Sequence, residues 1–443
     1  MNVNMKLDNL DKKKLDFVRV FKNLLLNNMV TITFVILCLI GLKISGLSIA
    51  FYLNDMISRI ARNCFLILAL IIPVTAGMGM NFAIVLGAMA GQAAIIAVTH
   101  WGITGLPGFL LSVILSSPLA IFLGFLTGKL LNKAKGQEMI TSLILAFFAN
   151  GVYQLIFLIL IGTVIPMNNK VLVLSAGVGL KNTIDLYRIK YAVDNILKWS
   201  FPLTAIILAT LALIIIMTYI VYNYSRVKSY NSKRNEKQDL TLYKFIKENT
   251  GQKLILYSII AVVAIAWGII ILNSNSLINF VKIPILTLLC IAAMCLFNLF
   301  IVKTKIGQDF RAVGQDAHIA EVAGINVNKT RVTAIIISTL FAAWGQLFFL
   351  QNLGTLNTYG SHEQAGMFAI AAILIGGASI EKATVSQALL GAVLFHTLFI
   401  VSPLAGRNLF GDAQIGEFFR AFVVYGVIGL ALGAHAWQKT RKK

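Results

Sequence analysis

No Asp, Glu, Lys or Arg occurs from Cys64 to Gly128, which reads CFLILALIIPVTAGMGMNFAIVLGAMAGQAAIIAVTHWGITGLPGFLLSVILSSPLAIFLGFLTG. A helix that crosses a bilayer needs about 20 consecutive apolar residues, so this stretch is long enough for three crossings. Clusters of glycine, proline and polar residues at 77–81 and 100–108 divide it. The stretch therefore predicts spans at about 63–77, 81–99 and 106–128, the first of them short enough to be tilted, broken or partly re-entrant.

The rest of the chain has the same character. Of its 443 residues, 58% are hydrophobic and 12% are charged, whereas soluble domains carry about 25% charged residues. This composition excludes a soluble enzyme, a secreted disulfide scaffold and a disordered regulator. The sequence predicts an all-α polytopic membrane protein with about 10–12 transmembrane helices, the further spans lying at about 29–50, 139–164, 201–223, 253–273, 282–302, 330–350, 366–378, 385–402 and 419–437.

Lysine and arginine outnumber aspartate and glutamate by 38 to 17, which gives a net charge of +21. Short basic loops remain on the cytoplasmic side of a membrane, so we expect these cations to orient the spans rather than to bind nucleic acid. The segment 166–200 is also basic, but it is long enough to be translocated regardless of its charge. The charge pattern predicts cytoplasmic basic tails at 1–28 and 438–443 and a transmembrane domain at 29–437.

No motif in the sequence indicates chemistry on this chain. A phosphate-binding loop of the form GxxxxGK[ST] is absent, so ATP hydrolysis is expected only on another chain. Metal-ligand spacing is absent from the four cysteines, Cys38, Cys64, Cys290 and Cys295. The nearest approach to a catalytic cluster lies in short predicted outer loops and comprises His362, Glu363, Arg407 and Asp412. We predict no catalytic residue, no metal site and no cofactor on this chain.

The scarcity of charge also bears on what the protein moves. Asp and Glu are predicted only at or outside span ends, which argues against coupling to protons or sodium ions and favours a neutral polar solute. The solute class is left open between a sugar, a nucleoside, a vitamin such as a flavin and an amino acid. Amides in the spans are candidate solute contacts, although each is also suited to joining helices. The predicted pathway residues are Asn81, Gln92, Asn150, Gln154, Gln346 and Gln351.

A predicted cytoplasmic segment at about 303–330 contains a helix signal. Asp316 is suited to cap a short helix that continues to Val322, and Gly324 is suited to end it with a positive φ angle. A short, rigid helix at the membrane surface is what a partner protein needs to bind. An ordinary loop is the alternative, and the composition of the segment does not separate the two.

The residues Phe310 to Arg331, reading FRAVGQDAHIAEVAGINVNKTR, resemble the signature of permease subunits of bacterial ABC importers for ribose-like sugars, nucleosides and branched-chain amino acids. Downstream, AIAAILIGGAS at 369–379 and ALLGAVL at 388–394 look like two further conserved blocks of that family. The resemblance covers roughly 60–178 and 282–437. It implies an ABC importer permease fold and a location in the bacterial cytoplasmic membrane. The chain departs from the family's pattern by an apparent extra hairpin at about 201–273.

The resemblance also implies partners. A second permease subunit, an extracytoplasmic substrate-binding protein and ATP-binding cassette subunits that hold ATP and Mg²⁺ would complete the importer. The glycine pair Gly376 and Gly377 would allow close backbone packing near the pathway. A secondary carrier of a small solute, ion-coupled or facilitative, remains the alternative function. The residues implied to form or brace a coupling helix on the ATPase are Gly314, Gln315, Asp316, Ala317, Ala323 and Gly324.

Overall fold

A computed structural model describes residues 29–167, 169, 171–234, 249–423, 425–426 and 429. These residues are predominantly helical, and their strands are four short segments that form two separate two-stranded sheets. The predicted all-α class is therefore confirmed. The predicted tails at 1–28 and 438–443, and most of the predicted span at 419–437, lie outside the described residues.

The α-helices are numbered here in chain order. They are α1 (Met29–Ser45), α2 (Ile49–Ala69), α3 (Ile71–Thr75), α4 (Ile84–His100), α5 (Gly105–Lys133), α6 (Glu138–Leu155), α7 (Phe201–Arg234), α8 (Asn249–Leu272), α9 (Ile285–Ile301), α10 (Lys305–Gln315), α11 (Ala317–Val322), α12 (Val327–Leu353), α13 (Ser361–Ile375) and α14 (Val385–Phe410). The strands are β1 (Thr183–Asp185), β2 (Lys198–Ser200), β3 (Lys282–Pro284) and β4 (Thr355–Asn357).

Six segments among the described residues are long and apolar enough to cross a membrane, and a seventh is obtained if α9 and α10 count as one span bent by 71°. Three shorter apolar helices lie at Val30–Ser45, Ile84–His100 and Leu256–Leu272. Six or seven candidate spans among the described residues are fewer than the 10–12 transmembrane helices predicted, and that count stays a prediction. The protein is a multi-pass membrane protein.

The predicted start of the second span is wrong. Helix α2 begins at Ile49, and α2 with α3 forms one apolar segment of 27 residues, Ile49–Thr75. Asp55 and Arg59, which were expected to lie before the span, lie inside the helix, where Arg59 Nε is 2.9 Å from Asp55 Oδ2. Opposite charges one helical turn apart compensate each other, which lowers the cost of placing both in a largely apolar helix. The expectation that every carboxylate lies at or outside a span end is therefore also wrong for Asp55.

Two compact units are distinguished within the chain. The smaller one contains residues 48–54 and 197–285, in which α7 packs against α8 and the Phe201 and Trp267 rings meet edge to face with centroids 6.1 Å apart. Strand β2 pairs with β3 antiparallel in this unit. Among the described residues, the larger unit contains those within 29–47, 55–196 and 286–429. All of the candidate site residues lie in the larger unit.

Helix α12 is the central element of the larger unit, and glycines allow its neighbours to approach it. A Cβ atom added to Gly87 of α4 would lie 2.3 Å from the Thr339 carbonyl oxygen. A Cβ atom on Gly124 of α5 would lie 2.9 Å from the Ile336 Cα atom. Small residues at helix contacts are typical of membrane proteins, because van der Waals packing between backbones replaces the hydrophobic effect as the force that joins helices.

The segment predicted as a translocated loop at 166–200 is folded against the helices. Strand β1 pairs antiparallel with β4, so that Ile184 lies opposite Leu356, and both side chains are fully buried. Leu172 and Leu186 are buried as well. No periodic signal predicts this arrangement, because the strands are only three residues long and their partners are distant in the chain.

Candidate translocation path and coupling segment

Three helices bring a set of polar side chains together inside the larger unit. His362, at the start of α13, places its Nδ1 atom 2.8 Å from Gln92 Oε1 on α4 and its Nε2 atom 2.9 Å from Asn150 Oδ1 on α6. The Tyr153 hydroxyl donates to Gln92 Oε1 at 3.0 Å. Gln92 and His362 are fully buried, and Asn150 is half-buried. We call these four residues, Gln92, Asn150, Tyr153 and His362, the polar cluster.

The chemistry of imidazole constrains the polar cluster. A neutral histidine ring has one N–H donor and one acceptor nitrogen, so it cannot donate to two amide oxygens at once. The oxygen of Gln92 already accepts from Tyr153, which favours an N–H on Nδ1 of His362 and an Asn150 amide that offers its NH2 group to Nε2. With the Gln92 oxygen placed in this way, Gln92 Nε2 is buried without a hydrogen-bond partner among the described residues.

Other predicted pathway amides lie outside the polar cluster. Gln154 lies one turn beyond Asn150, on the exposed face of α6. Gln346 is fully buried on α12, and neither its amide nitrogen nor its amide oxygen has a partner among the described residues. Asn81 is also buried, and its Oδ1 accepts from the Ala83 backbone N–H at 3.0 Å in the connection before α4.

The side-chain amide of Gln351 is hydrogen-bonded to a buried carboxyl group. Asp194, which is 1% exposed, accepts through Oδ1 from Gln351 Nε2 at 2.9 Å and from the Thr287 hydroxyl. Its Oδ2 atom accepts from Asn352 Nδ2 at 2.6 Å. Asp194 thus joins the folded 161–196 segment to the end of α12 and the start of α9. The position of Gln351 suits a role in holding this segment.

The predicted glycine pair lies at the contact between α13 and α14. A Cβ atom on Gly376 would lie 1.9 Å from the Gln387 carbonyl oxygen, so the two backbones touch at this point. Gly377 has a φ angle of +88°, which side chains other than glycine rarely adopt. Close backbone packing is therefore present at Gly376, while a contribution of the pair to a solute pathway remains a prediction.

The helix predicted from Asp316 to Val322 is confirmed. Helix α11 comprises Ala317–Val322, and the Asp316 carboxylate accepts from the backbone N–H groups of His318 at 2.8 Å and Ile319 at 3.0 Å. These N–H groups, of Ile319 and then of His318, hold the pKa of Asp316 below its usual range. Gly324 follows with a φ angle of +84°. Gln315 ends α10, and Ala323 is the C-cap of α11.

Helix α11 is a surface element with a small apolar base. Ala320 is buried against Val313 and Val327, which fixes the helix to its neighbours. The opposite side presents Ile319 and Val322, which are 68% and 79% exposed. A groove of about 510 Å³ lies beside the end of α10 and is lined by residues that include Arg311, Gln315, Glu381 and Lys382. We call residues 305–324 the coupling segment.

One direct contact joins the coupling segment to the end of α3 and the connection that follows it. A Cβ atom added to Gly314 would lie 2.2 Å from the Thr75 carbonyl oxygen, and one added to Gly77 would lie 2.8 Å from the Gly314 Cα atom. The backbones of α10 and of the break before α4 are therefore in contact. Gly77 adopts a φ angle of +73° at this break.

A second connection joins it to α6. Arg331, in the first turns of α12 directly after the coupling segment, forms a largely buried ion pair with Glu138, the first residue of α6. Glu138 also accepts from the Gly136 backbone N–H at 2.9 Å. Helix α6, which carries Asn150, is thus tied to α12, the helix that follows the coupling segment, whereas α10 contacts the end of α3.

The described residues contain no group of three or more His, Cys, Asp or Glu side chains arranged to hold a metal ion. The buried polar side chains among these residues are mostly amides and hydroxyls. Together with the multi-pass fold and the exposed, capped helix α11, this arrangement defines the class: a polytopic membrane protein with a buried polar cluster and a rigid surface helix.

Comparison with known proteins gives the family. Residues 192–428, more than half of the chain, match the family described as branched-chain amino acid transport system / permease component. The chain belongs to this family. The match contains the whole coupling segment and His362, whereas Gln92 and Asn150 precede it.

Curated relatives carry permease names as well. The chain is 35% identical over 173 residues to the probable ABC transporter permease protein y4mJ of Sinorhizobium fredii, covering 39% of this chain and 49% of that protein. It is 28% identical over 214 residues to the xylose transport system permease protein XylH of Haemophilus influenzae, covering 48% and 52%. It is 34% identical over 162 residues to the autoinducer 2 import system permease protein LsrC of Klebsiella pneumoniae, covering 36% and 45%. The chain spans about half the length of these relatives, and no solved structure matches it.

Proposed function

We propose that this chain is the transmembrane permease subunit of an ATP-binding-cassette importer in the bacterial cytoplasmic membrane, with both termini in the cytoplasm. It forms the translocation path for a neutral polar solute, a sugar or a nucleoside, and carries no catalytic residue of its own. ATP and Mg²⁺ are held by a separate ATPase subunit. A second permease subunit and an extracytoplasmic binding protein complete the importer.

The observation that carries this proposal is the coupling segment. Helix α11 is short, capped and fixed at its base, and it exposes two large apolar side chains to solvent. Exposed apolar groups on a rigid surface element mark a protein interaction site. Gly314 of the segment contacts the end of α3, and Arg331 of α12, the next helix, pairs with Glu138 of α6, so we expect a displacement of α11 to move these elements.

The choice of solute rests on the polar cluster and on the relatives. Amide, hydroxyl and imidazole groups form hydrogen bonds with uncharged hydroxyl-bearing solutes without a compensating charge. Two of the relatives are named for the transport of xylose and of autoinducer 2. A hydroxylated neutral solute is consistent with both observations.

Crosslinking tests the assignment of α11. A photoreactive amino acid placed at Ile319, which is 68% exposed, is expected to crosslink to a polypeptide that carries the Walker motifs of an ATP-binding cassette, in membranes of cells that express the complete importer. The matched control places the same probe at Ile114 of α5, which is 65% exposed on a largely apolar helix. The crosslinked partners are identified by mass spectrometry. The proposal is contradicted if no ATP-binding subunit is crosslinked at Ile319, or if the same subunit is crosslinked at both positions.

A further inference from the structure

The polar cluster has a donor that the protein leaves unused. Gln92 is 0% exposed, and its Nε2 atom has no hydrogen-bond partner among the described residues. A buried, unsatisfied amide costs roughly 1–3 kcal/mol, so such groups persist mainly where they have a task. A polar solute oxygen placed in the cluster would accept from this amide and remove the cost.

The cluster is also built from three separate helices around one ring. His362 contacts an amide of α4 through one nitrogen and an amide of α6 through the other, and its ring lies 4.7 Å from that of Tyr153, centroid to centroid. Polar groups that converge from several helices, beside an aromatic ring, are the usual composition of a site for a small neutral ligand. If the polar cluster only joined helices, every donor in it would be expected to have an acceptor, whereas Gln92 Nε2 has none among the described residues.

The exposed face of α6 provides the approach to this cluster. Asn150 is half-buried, and Gln154, one turn further along the same helix, is exposed. Both lie within the candidate span Glu138–Leu160. An amide that faces lipid without a partner costs several kcal/mol. The Gln154 side chain is therefore expected to meet water or solute, although Phe147 and Leu158 beside it on the same face are exposed and apolar. The α-helix also changes to a π-helical turn at Ile156–Leu160, directly after Gln154, and such turns are frequent at functional sites.

We propose that Gln92, Asn150, Tyr153 and His362 form a binding site for an uncharged solute with hydroxyl or carbonyl oxygens, entered from the face of α6 that carries Gln154. The Gln92 amide donates to a solute oxygen, Asn150 and His362 exchange their mutual hydrogen bond for bonds to the solute, and the Tyr153 ring packs against it. This site rests on the proposed function, because the solute is the one that the permease moves. The ion pair of Glu138 on α6 with Arg331 on α12, the helix that follows the coupling segment, is the route by which a movement of α11 would reach the site.

Thiol labelling tests the approach to the site without requiring a known solute or an active ATPase. The four native cysteines are replaced by alanine, and Gln154→Cys is compared with Ile114→Cys, an exposed position on α5 that is surrounded by apolar residues. A charged, membrane-impermeant methanethiosulfonate is expected to modify Gln154→Cys at least about tenfold faster, because thiols react as thiolates, which form in water and not in hydrocarbon. Equal rates overturn the proposal whether or not the chain couples to an ATPase.

Substitution at the ring tests the binding role. His362→Phe keeps an aromatic ring but removes both nitrogens, and it is expected to raise the KM for uptake about tenfold or more through the loss of one or two hydrogen bonds. Uptake is measured with radiolabelled D-xylose, uridine and L-leucine. His362→Gln, which retains polar atoms, is expected to restore part of the affinity, and His396→Phe, at a buried histidine of α14, to change little. An unchanged KM in His362→Phe overturns the assignment of His362.

Discussion

Replacing Asp316 with lysine is expected to reduce ATP-dependent uptake to the level of cells that lack the protein. The substitution removes the carboxylate that accepts from the backbone N–H groups of His318 and Ile319, and it places a cation where the N-terminal end of α11 already carries partial positive charge. Helix α11 then loses its defined start. Because Asp316 is exposed, insertion and packing of the spans should remain intact.

Two measurements separate loss of coupling from loss of protein. Uptake of the labelled solutes is measured in whole cells, and the amount of the chain in the membrane fraction is measured in parallel. Asp316→Asn is the matched control: it keeps a side-chain oxygen and is also a strong N-cap residue, so it should retain most of the uptake. Full uptake in Asp316→Lys at normal abundance would show that α11 is not the coupling element.

The pH dependence of this cap follows from the same bonds. Hydrogen bonding holds the pKa of Asp316 below its value in the unfolded chain. The cap therefore contributes its stabilisation fully at pH values above the unfolded-state pKa, and the contribution is lost as the pH falls through the lowered folded-state pKa. Near pH 7 the Asp316 carboxylate is charged and the cap is fully formed. Uptake by Asp316→Asn and by the wild type is therefore compared at this pH.

Replacing Asp194 with leucine is expected to cause the largest loss of stability. The carboxyl group of Asp194 accepts from three donors, on Thr287, Gln351 and Asn352, and it is almost completely buried. Each donor left unpaired costs roughly 1–3 kcal/mol. The sum is comparable with the whole stability of a typical domain, about 5–15 kcal/mol, so we expect the 161–196 segment to separate from α9 and α12.

The loss is measurable as a reduced midpoint of thermal unfolding of the detergent-purified chain, followed by intrinsic tryptophan fluorescence. Asp194→Asn, which keeps one acceptor oxygen, should lie between the wild type and Asp194→Leu. Asp185→Leu is the matched control, because Asp185 is an exposed carboxylate in the same segment that accepts only from the Tyr187 backbone N–H among the contacts described. Similar midpoints for Asp194→Leu and Asp185→Leu would refute the structural role of the buried carboxyl group.

Features of the fold that depend on local sequence were predictable. Long apolar runs predict spans because the bilayer sets their length, and the Asp316 cap with Gly324 eight residues later predicts α11 because capping is a local interaction. The start of the second span was missed, since Asp55, Arg59 and Arg62 indicated a loop when each charge was considered alone. The placement of Asp55 and Arg59 inside α2 depends on their pairing along one face of the helix.

Features of the candidate site that depend on distant contacts were not predictable. The amides Gln92 and Asn150 were proposed individually, but His362, which joins them, is separated by 270 and 212 residues from its two partners. Gln351 is predicted as a pathway residue because it is an amide in an apolar span. Its hydrogen bond to Asp194 joins residues 157 positions apart in the chain. A polar residue in an apolar helix indicates that a partner exists, and only the fold shows which partner it is.

The energy source of uptake tests the central claim most directly. The bacterial cells lack their ATP synthase, so that ATP and the proton gradient can be changed independently. The labelled solute is whichever of D-xylose, uridine and L-leucine the cells accumulate. Its uptake is measured once with arsenate, which depletes ATP, and once with a protonophore, which collapses the gradient. A permease that works with an ATP-binding-cassette partner predicts that arsenate abolishes uptake and that the protonophore leaves it nearly unchanged. Uptake that survives ATP depletion but stops with the protonophore would contradict the account and identify a secondary carrier.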